Sequence, residues 1–187
     1  QCFTAERFII AVGTEPYRPR HIPFDGEAIL DPDEILDLKR LPRSLSVIGA
    51  GVIGIEYATI FSALDVKVTV IEPSDTLLPF IDRELVDEFI HEMRDRGMSL
   101  RFQSKVKRVT KPAHDACLIE LEDSRQIWSE MVLFAAGRKG ATGSLELENC
   151  GLSTDDRGKI EVDRATFRTK LPHIFAVGDV IGFPSLA

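Results

Sequence analysis

Leu45-Ser-Val-Ile48, Gly49-Ala50-Gly51-Val52-Ile53-Gly54 and Ile55-Glu-Tyr-Ala-Thr-Ile-Phe61 form the stretch that decides the fold. Its first residues read as a strand, its glycines turn the chain, and apolar residues recur at helical spacing from Val52 to about Leu64. Val66-Lys-Val-Thr-Val-Ile71 then alternates and is β-branched, the pattern of a second strand. A lone G-x-G-x-x-G says little. Between a strand and a helix, with a second strand following, it is the fingerprint of a dinucleotide-binding turn. Gly49 would allow the tight turn, Gly51 would let the backbone approach a pyrophosphate, and Gly54 would let helix pack closely on strand. Backbone N–H groups at the helix start, Val52 and Ile53 among them, would face the phosphates, whose charge the helix dipole favours.

Glu72 ends the second strand, about 20 residues beyond the loop, where an acid can accept both ribose hydroxyls of the adenosine. A carboxylate there repels the 2′-phosphate of NADP(H). Pro73, Ser74 and Asp75 follow it and bring no cation, so the residues favour NAD(H), with NADP(H) the open alternative.

Working outward, Asp31-Pro32-Asp-Glu34 has the form of a helix start, with Asp31 as cap and Glu34 as capping-box acid, for a short helix through Leu38. Asp82 would cap a longer helix through Arg96, stopped by Gly97, with Leu85, Phe89 and Met93 as its buried face. Strands are expected near 7–12, 99–103, 105–110, 117–122 and 126–128, the middle connections being too short for a crossover and therefore a meander. Met131-Val-Leu-Phe-Ala135 is apolar throughout, as in a strand buried on both faces. Thr142 to Gly151 reads as a loop with one helical turn. Lys159-Ile-Glu-Val162 and Ile174-Phe-Ala-Val177 are read as the last strands, with Asp156-Arg-Gly158 a turn. The class is α/β: a Rossmann-like three-layer domain, parallel sheet plus β-meander.

Composition narrows the partners. The 187 residues are 44% hydrophobic with a net charge of −7, which leaves no excess of cations for nucleic acid. Lys105-Val-Lys107-Arg108 reads as a solvated strand face. No apolar run approaches the roughly 18 residues of a membrane span, and the start lacks a signal-peptide pattern. Cys2, Cys117 and Cys150 have neither metal nor redox-pair spacing, which fits unpaired thiols in a reducing cytoplasm. His21, His91, His114 and His173 show no ligand or triad spacing, so no metal is expected. The chain opens on Gln1 and closes on a stretch where Pro184 suits a first helical turn; we read it as part of a longer protein.

Four motifs in order, Ile9-Ile-Ala-Val-Gly13-Thr14, the glycine loop with Glu56 two residues past its last glycine, Phe134-Ala-Ala-Gly137-Arg138, and Ile174-Phe-Ala-Val-Gly178-Asp179, resemble the flavoprotein disulfide-reductase family. The resemblance implies an FAD domain interrupted by an NAD(P)-binding domain: residues 1–17 would end the first FAD segment, 18–139 would bind NAD(P), and 140–187 would begin the returning FAD segment. It places Asp179 on the flavin's ribityl chain, with Gly178 allowing close approach, and Gly13 and Thr14 beside the flavin's adenosine side. Gly137 would line the dinucleotide groove and Arg138 could equally be structural. Glu56 would lie near the nicotinamide, or be a plain helix-surface acid. Within the family, Ile55-Glu-Tyr-Ala-Thr-Ile-Phe61 and Ser144-Leu-Glu-Leu-Glu-Asn149 are similar to the soluble transhydrogenases, as is the tail from Gly178 to Ala187. Those enzymes tend to carry an Arg shortly after the second strand. Here Ser74 stands near that place, and Val70-Ile-Glu72-Pro is closer to dihydrolipoamide dehydrogenase.

The function implied is hydride transfer between NAD(H) and NADP(H) through FAD, or the chemistry of dihydrolipoamide dehydrogenase or a related disulfide reductase. This chain alone would be a dinucleotide-binding module, without a catalytic acid or base and without its own flavin. The family's dimers form through a C-terminal domain, so the whole protein is expected to be a homodimer or larger.

Overall fold

The computed structural model describes residues 4–182; Cys2, Pro184 and the readings placed on them lie outside the described residues. The chain runs through β1 (Phe8–Ile10), β2 (Thr14–Pro16), β3 (Ile29–Leu30), β4 (Ser44–Ile48), α1 (Val52–Ala63), β5 (Lys67–Ile71) and α2 (Arg83–Asp95). There follow β6 (Ser99–Arg101), β7 (Val106–Ala113), β8 (Ala116–Leu121), β9 (Gln126–Ser129), β10 (Met131–Phe134), β11 (Arg138–Gly140) and β12 (Ile174–Ala176). These elements divide into two compact units. Tyr17–Gly137 is one, and the segments on either side of it form the other.

The central unit is built on a parallel five-stranded sheet in the order β3-β10-β4-β5-β6. Alternation along the strands sends side chains to both faces, and both are covered. Leu45, Val47, Val68, Val70 and Leu133 pack with Ile55, Ala58 and Phe61 of α1 and Val86, Ile90 and Met93 of α2. Ile48, Ile71, Val132 and Phe134 pack instead with Val109, Cys117, Ile119 and Leu121 of the β7-β8-β9 meander. The result is three layers of helices, parallel sheet and meander. The charged run at Lys105 to Arg108 is a solvated face: Lys105 pairs with Glu122, and Arg108 with Glu120 across the β7-β8 ladder.

Three sequence expectations change. The buried face of α2 is Val86, Ile90 and Met93 with Phe89 partly covered, whereas Leu85 is 66% exposed. Apolar residues at 85, 86, 89, 90 and 93 allow two phases one residue apart, and only packing against the sheet selects between them. Asp31 and Glu34 do form a reciprocal capping box, since Asp31 Oδ1 accepts the Glu34 N–H (2.9 Å) and Glu34 Oε2 accepts the Asp31 N–H (3.1 Å). What they cap is one 3-10 turn, Glu34–Asp37. Lys159–Val162 is not a strand: Ile160 makes a single bridge to Thr154 and its side chain fills the core. Met93 is fully buried, so Met93→Ala is expected to cost about 2–5 kcal/mol in urea unfolding. Leu85→Ala should stay within about 0.5 kcal/mol. The reverse order of the two would refute this phase of the helix.

In the second unit β1 pairs in parallel with β12, and β2 pairs antiparallel with β11. Leu147, Leu152, Ile160, Ile174, Ala176, Val180 and Ile181 make its core. Among the described residues no helix is long and apolar enough to cross a membrane.

Candidate functional site

The site begins at the C-terminal edge of the parallel sheet, where β4 lies between β5 and β10. The chain leaves β4 toward β5 on one side and returns through β10 on the other. Such a reversal opens a crevice at the strand ends, the usual ligand position in open α/β sheets. Gly49 enters it with φ +104°, and a Cβ there would stand 2.9 Å from Ala135 O and from Ala136 Cα. Only glycine fits between the two strand ends. Its N–H donates to Ile71 O (2.9 Å), while the Ala135 N–H donates to Ile48 O (2.8 Å). The sequence reading did not anticipate the role of Ala135 and Ala136, although two small residues after an apolar strand were the available signal. Gly54 is tighter still, since a Cβ would lie 2.1 Å from Gly49 O. A Cβ on Gly51 would meet nothing within 4 Å, so the loop is open on the side a ligand would approach. Gly51 also caps α1 without any side-chain acceptor, which leaves the amides at Val52 and Ile53 available to an anion.

Glu72 follows β5 and is half-buried. One carboxylate oxygen accepts the Ala50 N–H (2.7 Å) and the other accepts the Ser74 N–H (3.0 Å). Its backbone is held as well, the N–H donating to Arg101 O (2.9 Å) and the carbonyl accepting from the Ser104 N–H (3.0 Å). The acid therefore clamps the glycine loop as well as facing the crevice, a second role invisible in the sequence. Each carboxylate oxygen keeps a lone pair for a further donor. Gly137 follows β10 by three residues, and its carbonyl accepts from the Tyr17 N–H (3.1 Å). Glu56 lies exposed in the first half of α1.

The remaining residues singled out in the sequence belong to the other unit. Pairing of β2 with β11 brings Arg138 to Thr14: Nε donates to Thr14 Oγ1 and a terminal nitrogen to Thr14 O, both at 2.7 Å. The Thr14 hydroxyl in turn points at Asp179 Oδ2 (3.5 Å), in a 3-10 turn Gly178–Ile181 that follows β12. Gly13 adjoins Thr14, and Gly178 adjoins Asp179. The other oxygen, Asp179 Oδ1, is buried without a hydrogen-bond partner among the described residues, as is the neutral Ser46 hydroxyl inside the sheet. A buried carboxylate oxygen without a donor is costly. A ligand hydroxyl would supply that donor, so the residues present fit a polyol chain at this point.

Burial, with the nearby Asp25 charge, pushes the Cys117 thiol up to about 11, far from a reactive thiolate. Among the described residues no cluster of His, Cys, Asp or Glu could hold a metal ion.

The whole chain, residues 1–187, matches the family model for pyridine nucleotide-disulphide oxidoreductases. The chain belongs to that family. Membership implies flavin and nicotinamide nucleotide as cofactors. A soluble pyridine nucleotide transhydrogenase of Mycobacterium bovis (strain BCG / Pasteur 1173P2) is 49% identical over 98% of this chain, which spans 39% of that protein. One of Salmonella paratyphi B is 42% identical over 100% of the chain, spanning 40% of the relative. Among solved structures, LpdA from Mycobacterium tuberculosis superimposes with a TM-score of 0.87 at 30% identity, covering 95% of this chain and 38% of that one. RclA, an HOCl-induced flavoprotein disulfide reductase of Escherichia coli, gives 0.83 at 32% identity, covering 95% and 40%. The Rossmann-like α/β fold read from the sequence is the fold these structures share.

Proposed function

We propose that this chain is the NAD(H)-binding region of an FAD-dependent soluble pyridine nucleotide transhydrogenase. The observation that carries the reading is the glycine loop at the sheet's reversal point, with Glu72 fixed beside it. In this reading the N–H groups of Val52 and Ile53 hold the pyrophosphate, Gly51 and Gly137 leave room for the dinucleotide backbone, and Glu72 accepts the ribose hydroxyls. Residues 1–17 and 140–187 belong to the FAD domain, where Asp179 accepts from the ribityl chain, Gly178 leaves space, and Gly13 and Thr14 flank the adenosine side. Glu56 faces the nicotinamide side of the groove. The bound nicotinamide and flavin supply the hydride-transfer chemistry. The chain's own residues bind, orient and exclude water, and none is assigned as a catalytic acid or base. The whole protein is placed in the cytoplasm as a homodimer or larger assembly.

The likeness to LpdA, with the run Val70-Ile-Glu72-Pro, favours a second reading, a dihydrolipoamide dehydrogenase or related disulfide reductase. A C-x-x-x-x-C pair elsewhere in the whole protein would decide for that one. For either reading, NADH should bind this chain saturably in a fluorescence titration, and more tightly than NADPH. Tighter binding of NADPH would overturn the role given to Glu72.

A further inference from the structure

We propose that Arg101 receives the 2′-phosphate of NADP(H), so that one site serves both dinucleotides in turn; this rests on the binding reading given above. A transhydrogenase has to admit NADP(H), yet Pro73, Ser74 and Asp75 after β5 offer no cation, and Glu72 with Asp75 makes that end of the site negative. The neighbouring strand supplies what β5 lacks. Arg101 is the last residue of β6, in register with Ile71, and its carbonyl accepts the Glu72 N–H at 2.9 Å. Its Cα thus lies one strand spacing, about 4.8 Å, from Ile71, the residue before the ribose-binding acid, and from this strand end the three-methylene stem can carry the guanidinium across the edge of the sheet.

Three further observations leave this guanidinium available. β6 is the edge strand, and among the described residues no further strand covers it. Arg101 is exposed and makes no ion pair or side-chain hydrogen bond among the described residues. The nearby Arg125, by contrast, is committed to Asp123 and to Ser104 Oγ. Glu72 does not draw Arg101 away: its carboxylate is bonded to the Ala50 and Ser74 amides and pairs with no cation among the described residues. A planar guanidinium offers a phosphate two parallel donors, and its charge offsets the repulsion from the acid.

The test compares binding of NADH, NADPH, 5′-AMP and adenosine 2′,5′-bisphosphate to the wild-type chain and to Arg101→Ala and Arg101→Lys. Arg101→Ala should weaken both 2′-phosphorylated ligands about tenfold or more, because a hydrogen bond to a charged group is lost. NADH and 5′-AMP should stay within about twofold, which also shows the variant folded. Arg101→Lys should recover part of the loss. An unchanged NADPH-to-NADH ratio in Arg101→Ala, an equal loss for all four ligands, or a wild type that binds NADH but not NADPH would each overturn the proposal. A wild type that binds none of the four would instead remove the binding reading itself, and this inference with it.

Discussion

Gly54→Val is expected to abolish measurable NADH binding and to lower the melting temperature of the chain. A Cβ at this position would stand 2.1 Å from Gly49 O and 3.4 Å from Ala135 Cβ. The first neighbour is backbone and cannot rotate away, so α1 must lift from the loop that starts it. Overpacking of this kind costs about 1–3 kcal/mol where side chains can yield, and more where they cannot. The lift also carries the amides of Val52 and Ile53 away from the pyrophosphate. At about 1.5–3 kcal/mol for each charge-assisted bond, loss of both weakens binding by a hundredfold or more. Gly51→Ala is the control, because a Cβ there meets nothing within 4 Å. It should melt like the wild type. A Gly54→Val protein that melts and binds NADH as the wild type does would refute the packing role of this glycine.

Glu72→Ala carries the second large effect. Removing the carboxylate deletes the ribose acceptor and frees the Ala50 N–H from its 2.7 Å bond, so NADH affinity should fall about 10- to 100-fold. NADPH should lose much less, since the same change removes a charge that repels its 2′-phosphate. Glu72→Gln separates the two roles: it keeps an oxygen for Ala50 but no longer carries the charge. The gap between NADH and NADPH should narrow in both variants, with the loop better preserved in Glu72→Gln. Isothermal titration with each dinucleotide measures it. If the ratio of the two affinities does not move, Glu72 does not read the ribose.

The βαβ unit was legible because its signals are local. Strand alternation, three glycines at fixed spacing and an acid at the next strand end all lie within thirty residues. The meander and the fully buried β10 were legible for the same reason. Less visible was anything that depends on pairing distant segments. The contact of Gly49 with Ala135 and Ala136 joins the two sides of the crevice, and the Arg138–Thr14–Asp179 chain joins residues far apart in sequence. The phase of α2 failed locally, since two adjacent apolar stripes left Leu85 and Val86 equivalent until the sheet chose one. Ile160 shows the opposite limit: a β-branched pattern around it made a strand plausible, but no neighbouring segment paired along its length.

A hydrogen bond from the Tyr17 N–H to Gly137 O joins the two ends of the central unit. Everything from the glycine loop to the meander thus lies between two chain ends that are held side by side. The entropy of closing a loop rises only logarithmically with its length, so a host chain interrupted here would lose little by carrying so long a detour. Such a junction makes the unit portable: it can be acquired, exchanged or duplicated as a whole, with its ligand crevice intact and only two peptide bonds to rejoin.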